Sequence, residues 1–177
     1  MKIMTAAEAV QLINSGERIY IQGSTSIPEV LSQALADRGA ELKDVTIYAA
    51  FAVGRCEAPY CKPEYKDSFN VKSLFVANNI RKWLAAGYGS TIPAFLGEIP
   101  GLFRDGTLPL DAVFLNVSPP NAEGYCSFGV SADLAVSATE CAKKVIVQVN
   151  KAMPFSYGDA LIHVSRIDAA VEVDDPL

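Results

Sequence analysis

The chain has 177 residues, half of them hydrophobic and a fifth charged, which is enough to bury a full core and is most simply one domain over residues 1–177. Its net charge of −5 comes with lysines and arginines scattered along the chain, which argues against phosphate-backbone binding and so against a nucleic-acid partner. No run nears the roughly 18 apolar residues needed to span a bilayer, and the first residues turn acidic and amphipathic too early for a signal peptide, so a soluble cytoplasmic protein is expected.

Thr5 and Glu8 have the T-x-x-E spacing of a capping box, and Val10 and Ile13 supply an apolar face before Gly16, which predicts a first helix. RIYIQ, residues 18–22, alternates as a strand. The turn GSTS follows, and Ser26 with Glu29 repeats the cap spacing ahead of a second helix. There Val30, Leu31, Ala34 and Leu35 recur at helical spacing, with Gly39 at C′. VTIYAAF, residues 45–51, predicts a strand buried on both faces. Residues 52–70 hold Gly54, Pro59, Pro63 and two cysteines without a period, and read as a long loop with room for short helices. VKSLFVA, residues 71–77, reads as strand, NNIRKWLAAG as a helix ending at Gly87 with Trp83 facing inward, and STIPAFLGEIPGLFRDG as a turn-rich connection. DAVFLNVS is a strand, residues 132–143 a helix, 144–150 a buried strand and 169–173 a last strand. This alternation predicts an α/β fold: a three-layer, open, mainly parallel sheet with helices on both faces.

In such a sheet ligands bind beyond the carboxyl ends of the strands, and three loops fall there. The first holds Gly23, Ser24 and Thr25, between a strand and a helix, where exposed amides suit an anion. It lacks both G-x-G-x-x-G and G-x-x-x-x-G-K, and Ser26 reads as a helix cap, a ligand contact or both. The second is NVSPPNAEGYCSFGVS, residues 116–131. Pro119 and Pro120 fix φ and remove two donors, while Gly124 and Gly129 leave backbone bare, a stiffness unusual in a simple crossover loop. Asn116, Ser118, Asn121, Glu123, Tyr125 and Ser127 offer hydrogen-bonding groups around it. The third is Asn150 with Lys151, Met153 and Pro154. All three loops are expected to line one cleft.

Conventional catalytic sets are missing from the sequence. The sole histidine, His163, reads as a packed or surface imidazole, so no triad is assigned. Cys56, Cys61, Cys126 and Cys141 show no C-x-x-C pair and no metal-ligand spacing, and Cys126 and Cys141 read as buried reduced thiols. Glu57, Glu64, Asp67 and Glu98 read as solvated loop charge. No metal site and no tightly bound cofactor are predicted.

The Gly-Ser-Thr turn ending in Pro28, the segment LPLDAVFLNVSPPNAEGYCSFGVS, then AKKVIVQVNKAMPFSYGDALIH and VEVDDPL together resemble the N-terminal domain of the acetyl-CoA hydrolase/transferase family, relatives of 4-hydroxybutyrate CoA-transferase. The likeness runs essentially end to end, and its specific part is the Ser-Pro-Pro to Gly-Val-Ser stretch. Family members more often carry Asp at the position of Asn121 and Leu at that of Phe128. The resemblance implies the CoA-transferase (NagB/RpiA-like) fold and an enzyme that moves CoA from an acyl-CoA to a small carboxylate such as acetate, butyrate or 4-hydroxybutyrate, or to water. It also implies a glutamate nucleophile in a second domain beyond residue 177, an acyl-glutamyl anhydride followed by a glutamyl-CoA thioester, and a homo-oligomer. Such chemistry needs no histidine base, because a thioester is already activated. No catalytic residue is therefore assigned to this chain, and the isolated chain is expected to be inactive. Coenzyme A enters as a substrate. Gly23, Ser24, Thr25, Pro119, Pro120, Gly124, Tyr125, Ser127, Gly129 and Asn150 are the substrate- and CoA-binding candidates. The residues also leave open a non-catalytic ligand-binding or assembly module, or a sugar-phosphate isomerase on a similar scaffold.

Overall fold

The computed structural model describes residues 1–53 and 58–177, so Gly54, Cys56 and Glu57 lie outside the described residues. Seven parallel strands form one sheet, in the order β4-β3-β2-β1-β5-β7-β9. They are β1 (Arg18–Ile21), β2 (Val45–Ala49), β3 (Phe69–Ser73), β4 (Ser90–Thr91), β5 (Ala112–Val117), β7 (Lys144–Asn150) and β9 (Ala169–Val173). β6 (Tyr125–Ser127) and β8 (Leu161–His163) pair antiparallel outside it. The helices are α1 (Ala6–Ala9), extended by a 3-10 turn at Val10–Leu12, then α2 (Glu29–Asp37), α3 (Asn78–Ala85), α4 (Ile99–Arg104) and α5 (Ala135–Cys141). Among the described residues no helix is long and apolar enough to cross a membrane.

Alternation along the strands divides the core in two. Ile19, Ile47, Phe114 and Ile146 face α1 and α2, while Tyr20, Val113, Leu115 and Val147 face α4 and α5. Both faces are covered, which is why these strands read as unbroken apolar runs. α2 docks through Leu31 and Leu35, both fully buried, each stabilising the packed state by roughly 1.5–3 kcal/mol.

The amino ends of the strands are tied by charge. Asp111 accepts the Arg18 N–H at 3.0 Å and the Lys143 ammonium at 2.8 Å, and Lys144 meets Glu17 at 2.6 Å. At the outer edge, β9 exchanges backbone bonds with residues 2–4: the Met4 N–H donates to Ala170 O and the Ala170 N–H to Lys2 O, each at 2.9 Å.

The Thr5–Glu8 capping box forms as predicted, with both reciprocal bonds present. Ser26 does not cap α2: the N-cap is Pro28, without a side-chain cap bond, and the Ser26 hydroxyl is buried with no hydrogen-bond partner among the described residues. Gly39 does sit at C′, one residue beyond the Arg38 C-cap, but the need for glycine there is space, since a Cβ would run into the Tyr65 ring. The third strand starts at Phe69, not Val71, because its ladder with β2 pairs Val45 with Phe69. The connection predicted for residues 90–106 contains β4 and α4, and the helix predicted for 132–143 is confined to Ala135–Cys141. Among the described residues of the loop at 52–70 are two 3-10 turns, Pro59–Cys61 and Pro63–Tyr65. Trp83 is half-buried, with Lys82 Nζ 4.7 Å from its ring centroid.

Candidate functional site

The strand succession runs outward from β1 through β2 and β3 to β4, and on the other side through β5 and β7 to β9. The reversal lies between β1 and β5, the position in an open parallel sheet where connections leave in opposite directions and open a crevice at the carboxyl ends. Gln22 directly follows β1 there. It is 1% exposed; its Oε1 accepts the Asn116 N–H and its Nε2 donates to Ser131 O, both at 2.7 Å.

A cleft of about 680 Å³ opens beside this point, under the start of α2. Thr25, Ile27 and Val30 form one side, Lys62 stands on the rim, and Asn116 and Gln148 lie at the floor. Asn116 and Gln148 are register partners on β5 and β7. Gln148 Oε1 accepts the Leu31 N–H at 2.9 Å, so it holds α2 over the sheet. The cleft therefore combines apolar walls with the carboxamides of Asn116, Gln148 and Gln33, the Lys62 cation and the carboxylates of Glu29 and Asp175, a lining suited to a short aliphatic chain with a polar end.

The ten candidate positions fall at this carboxyl edge in different ways. Thr25 lines the cleft. Gly23 is packed so closely under the neighbouring loop that a Cβ would collide with the Phe51 carbonyl, and Ser24 takes the left-handed conformation, φ 59°. Its N–H donates to that same Phe51 carbonyl at 2.6 Å. Pro119 and Pro120 are exposed.

The rest of the 116–131 segment is a braced flap, its backbone amides already engaged. Asn121 Oδ1 accepts the Glu123 and Tyr125 N–H groups at 3.0 and 2.9 Å, and Gly124 N–H donates to Asn121 O at 3.0 Å. Ser127 N–H donates to Ser118 Oγ at 2.9 Å. Ser127 Oγ accepts from the Gly129 and Ser156 N–H groups, each at 3.0 Å. β6 then pairs with β8, bringing Tyr125 within 5.0 Å of His163, centroid to centroid. Gly124, φ +83°, would place a Cβ 2.9 Å from His163 Nε2, and a Cβ at Gly129, φ +64°, would overlap Met153 Sδ. Asn150 is fully buried, and its carboxamide binds the backbone of Ala152 and Asp175. Neither the flap nor Asn150 reaches the cleft lining.

Sequence reasoning missed Gln22, Gln148 and Lys62. For the two glutamines a signal existed: each interrupts an apolar strand, in RIYIQ and KVIVQVN, where a polar side chain has to find a partner. Burial pushes the Cys61 thiol up to about 12 and that of Cys126 to about 11, which keeps both protonated at neutral pH. Cys141 is a free, half-buried thiol. Glu64, Asp67 and Glu98 are exposed. His163 Nδ1 lies 2.8 Å from Ser165 Oγ.

Over 99% of its length the chain is 38% identical to the 4-hydroxybutyrate coenzyme A transferase of Clostridium kluyveri, of which it covers 41%. Its fold matches the crystal structure of RipA from Yersinia pestis with a TM-score of 0.90 at 30% identity, covering 99% of this chain and 43% of that one. It also matches the 4-hydroxybutyrate CoA-transferase of Porphyromonas gingivalis with a TM-score of 0.80 at 33% identity, covering 99% and 40%. The chain thus spans about two fifths of the length of these relatives. Residues 1–176 match the N-terminal domain of acetyl-CoA hydrolase/transferase proteins, and with the seven-stranded parallel sheet and its switch-point cleft this places the chain in the acetyl-CoA hydrolase/transferase family.

Proposed function

We propose that the chain is the N-terminal half of an acyl-CoA:carboxylate CoA-transferase, and that its cleft receives the acyl side of the substrate. The observation that carries this reading is the position of a cleft with mixed apolar and polar lining at the sheet's switch point in a chain whose family acts on acyl-CoA thioesters. By family likeness, a glutamate of a second domain attacks the thioester, forms an acyl-glutamyl anhydride and then carries CoA as a glutamyl thioester to the acceptor carboxylate. This chain binds and orients: Thr25 and Lys62 stand where they can meet polar ends of the substrate, while the braced flap carrying Pro119, Pro120 and Tyr125 stands outside that cleft. Coenzyme A is a substrate in this scheme, and the protein works in the cytoplasm, where Cys61 and Cys126 stay reduced.

Exposed Phe75, Phe95 and Leu96 follow β3 and β4 on the carboxyl edge, and they suit packing against that second domain or another copy. Light scattering of the isolated 177 residues is expected to show concentration-dependent self-association. The decisive experiment supplies acetyl-CoA and butyrate to the full-length enzyme that contains this chain. Butyryl-CoA and acetate are expected, with no turnover by the isolated chain; a full-length enzyme that forms neither butyryl-CoA nor free CoA would overturn the reading.

A further inference from the structure

The first turn of α2 takes its cap from a strand far away in sequence. Glu29, Val30 and Leu31 open that helix, and their amides come before the helix's own hydrogen-bond ladder. An N-cap side chain ordinarily accepts from the second or third of them. Here the N-cap is Pro28, which has no acceptor in its side chain, and no side-chain cap bond is made. The backbone ladder starts at Ser32, whose N–H donates to Pro28 O at 2.9 Å. The Leu31 N–H is met instead by Gln148 Oε1, 2.9 Å away and 117 residues on in the chain. Gln148 lies on β7 and is 1% exposed, and the N–H it accepts fixes which way its carboxamide is turned.

We propose that Gln148 is a positioning residue for acyl transfer: it caps α2 in place of Pro28 and so sets the α2 wall of the cleft against the floor on β5 and β7. This inference rests on reading the cleft as the acyl site. Thr25, Ile27, Glu29, Val30 and Gln33 reach the cleft from α2 or from the turn that leads into it, and Asn116 and Gln148 reach it from the sheet. Leu31 and Leu35 also join the two sides, both fully buried, but apolar packing is non-directional and does not fix where along the strands the helix begins. The Gln148 bond is directional and buried, so it pins the helix by its first turn. Position matters to turnover: a misplacement of about 1 Å at a reacting group can cost roughly a hundredfold.

The test uses the full-length enzyme, with acetyl-CoA and butyryl-CoA as donors and propionate as acceptor. Gln148→Leu nearly keeps the size of the side chain and removes the acceptor. Its kcat/KM is expected to fall about fivefold further for butyryl-CoA than for acetyl-CoA, mostly through KM, because the longer acyl chain runs further along the displaced wall. Adding Pro28→Ser supplies a local cap and is expected to return the ratio of the two donors towards its wild-type value, while Pro28→Ser alone leaves that ratio unchanged. Amide exchange at Leu31 is expected to rise in Gln148→Leu and to fall again in the double variant. An equal loss for both donors in folded Gln148→Leu marks a merely structural side chain and overturns the assignment, as does a ratio that Pro28→Ser fails to restore. Where Gln148→Leu alone does not fold, the double variant carries the test: folded with the wild-type ratio it supports the assignment, and unfolded or with an altered ratio it overturns it. Transfer from neither donor by the wild type removes the CoA-transferase reading itself and leaves the cap, which Leu31 exchange tests without turnover.

Discussion

Gln22 and Asn116 are joined at 2.7 Å across the point where strand order reverses, with the side-chain oxygen of one accepting the main-chain N–H of the other. Because Gln22 also donates to Ser131 O, one side chain fastens β1, β5 and the returning end of the flap. Gln22→Leu strands two buried backbone groups, and a loss of about 2–4 kcal/mol is expected in urea unfolding. A variant as stable as the wild type would show that the clamp is dispensable.

Gly23→Ala places a methyl against the Phe51 carbonyl, which belongs to the backbone and cannot swing aside. The two loops must separate, at a cost of about 1–3 kcal/mol, and the Ser24 N–H to Phe51 O bond lengthens with them. Thermal unfolding of the variant is the measurement, and an unchanged Tm would mean that the loops have room to spare.

Ser127 is buried, and its Oγ gathers the Gly129 and Ser156 N–H groups. Ser127→Ala removes the shared acceptor, so a loss of about 1–3 kcal/mol is expected. Amide exchange at Gly129 and Ser156 should rise first, because the flap loosens there before the sheet does. Exchange rates identical to the wild type would take Ser127 out of the brace.

Acid should weaken the amino edge. Burial works to raise the carboxyl pKa values of Glu17 and Asp111, but the lysines beside them and the N–H groups they accept outweigh it, and both end up lowered. Their contribution is therefore complete at neutral pH and drains away as pH falls from about 4.5, the ordinary value for Glu17, through the lower folded values. Glu17→Gln and Asp111→Asn should each flatten the acid limb of a stability–pH profile. An unaltered slope in both would dissociate these ion pairs from acid unfolding.

The strands β1, β2, β5, β7 and β9 were legible because each lies in the sheet interior or against it as an apolar run, and their pattern follows from burial alone. β6 and β8 were not: they are three residues each and are created by a pairing between segments distant in sequence, which no local pattern encodes. α4 was hidden by Pro100, which reads as a breaker although proline is compatible with the first turn of a helix. The carboxyl edge was correctly anticipated as the place for the loops, yet the flap's prolines and glycines signalled a braced ribbon where open backbone was expected. Thr25 lines the cleft, while the floor is built by glutamine and asparagine side chains inside strands, where the dominant apolar pattern masks them.

The borders of the sheet are guarded unequally. β4 protects its side by brevity, having only two residues, whereas the five residues of β9 depend on the Lys2 and Met4 backbone as a selvage. Trimming those first residues, or fusing a bulky tag that pulls them away, would uncover a row of β-ladder donors and acceptors ready to recruit a neighbouring molecule. Expression designs should therefore keep residues 2–4 in place and put added sequence ahead of them on a flexible spacer.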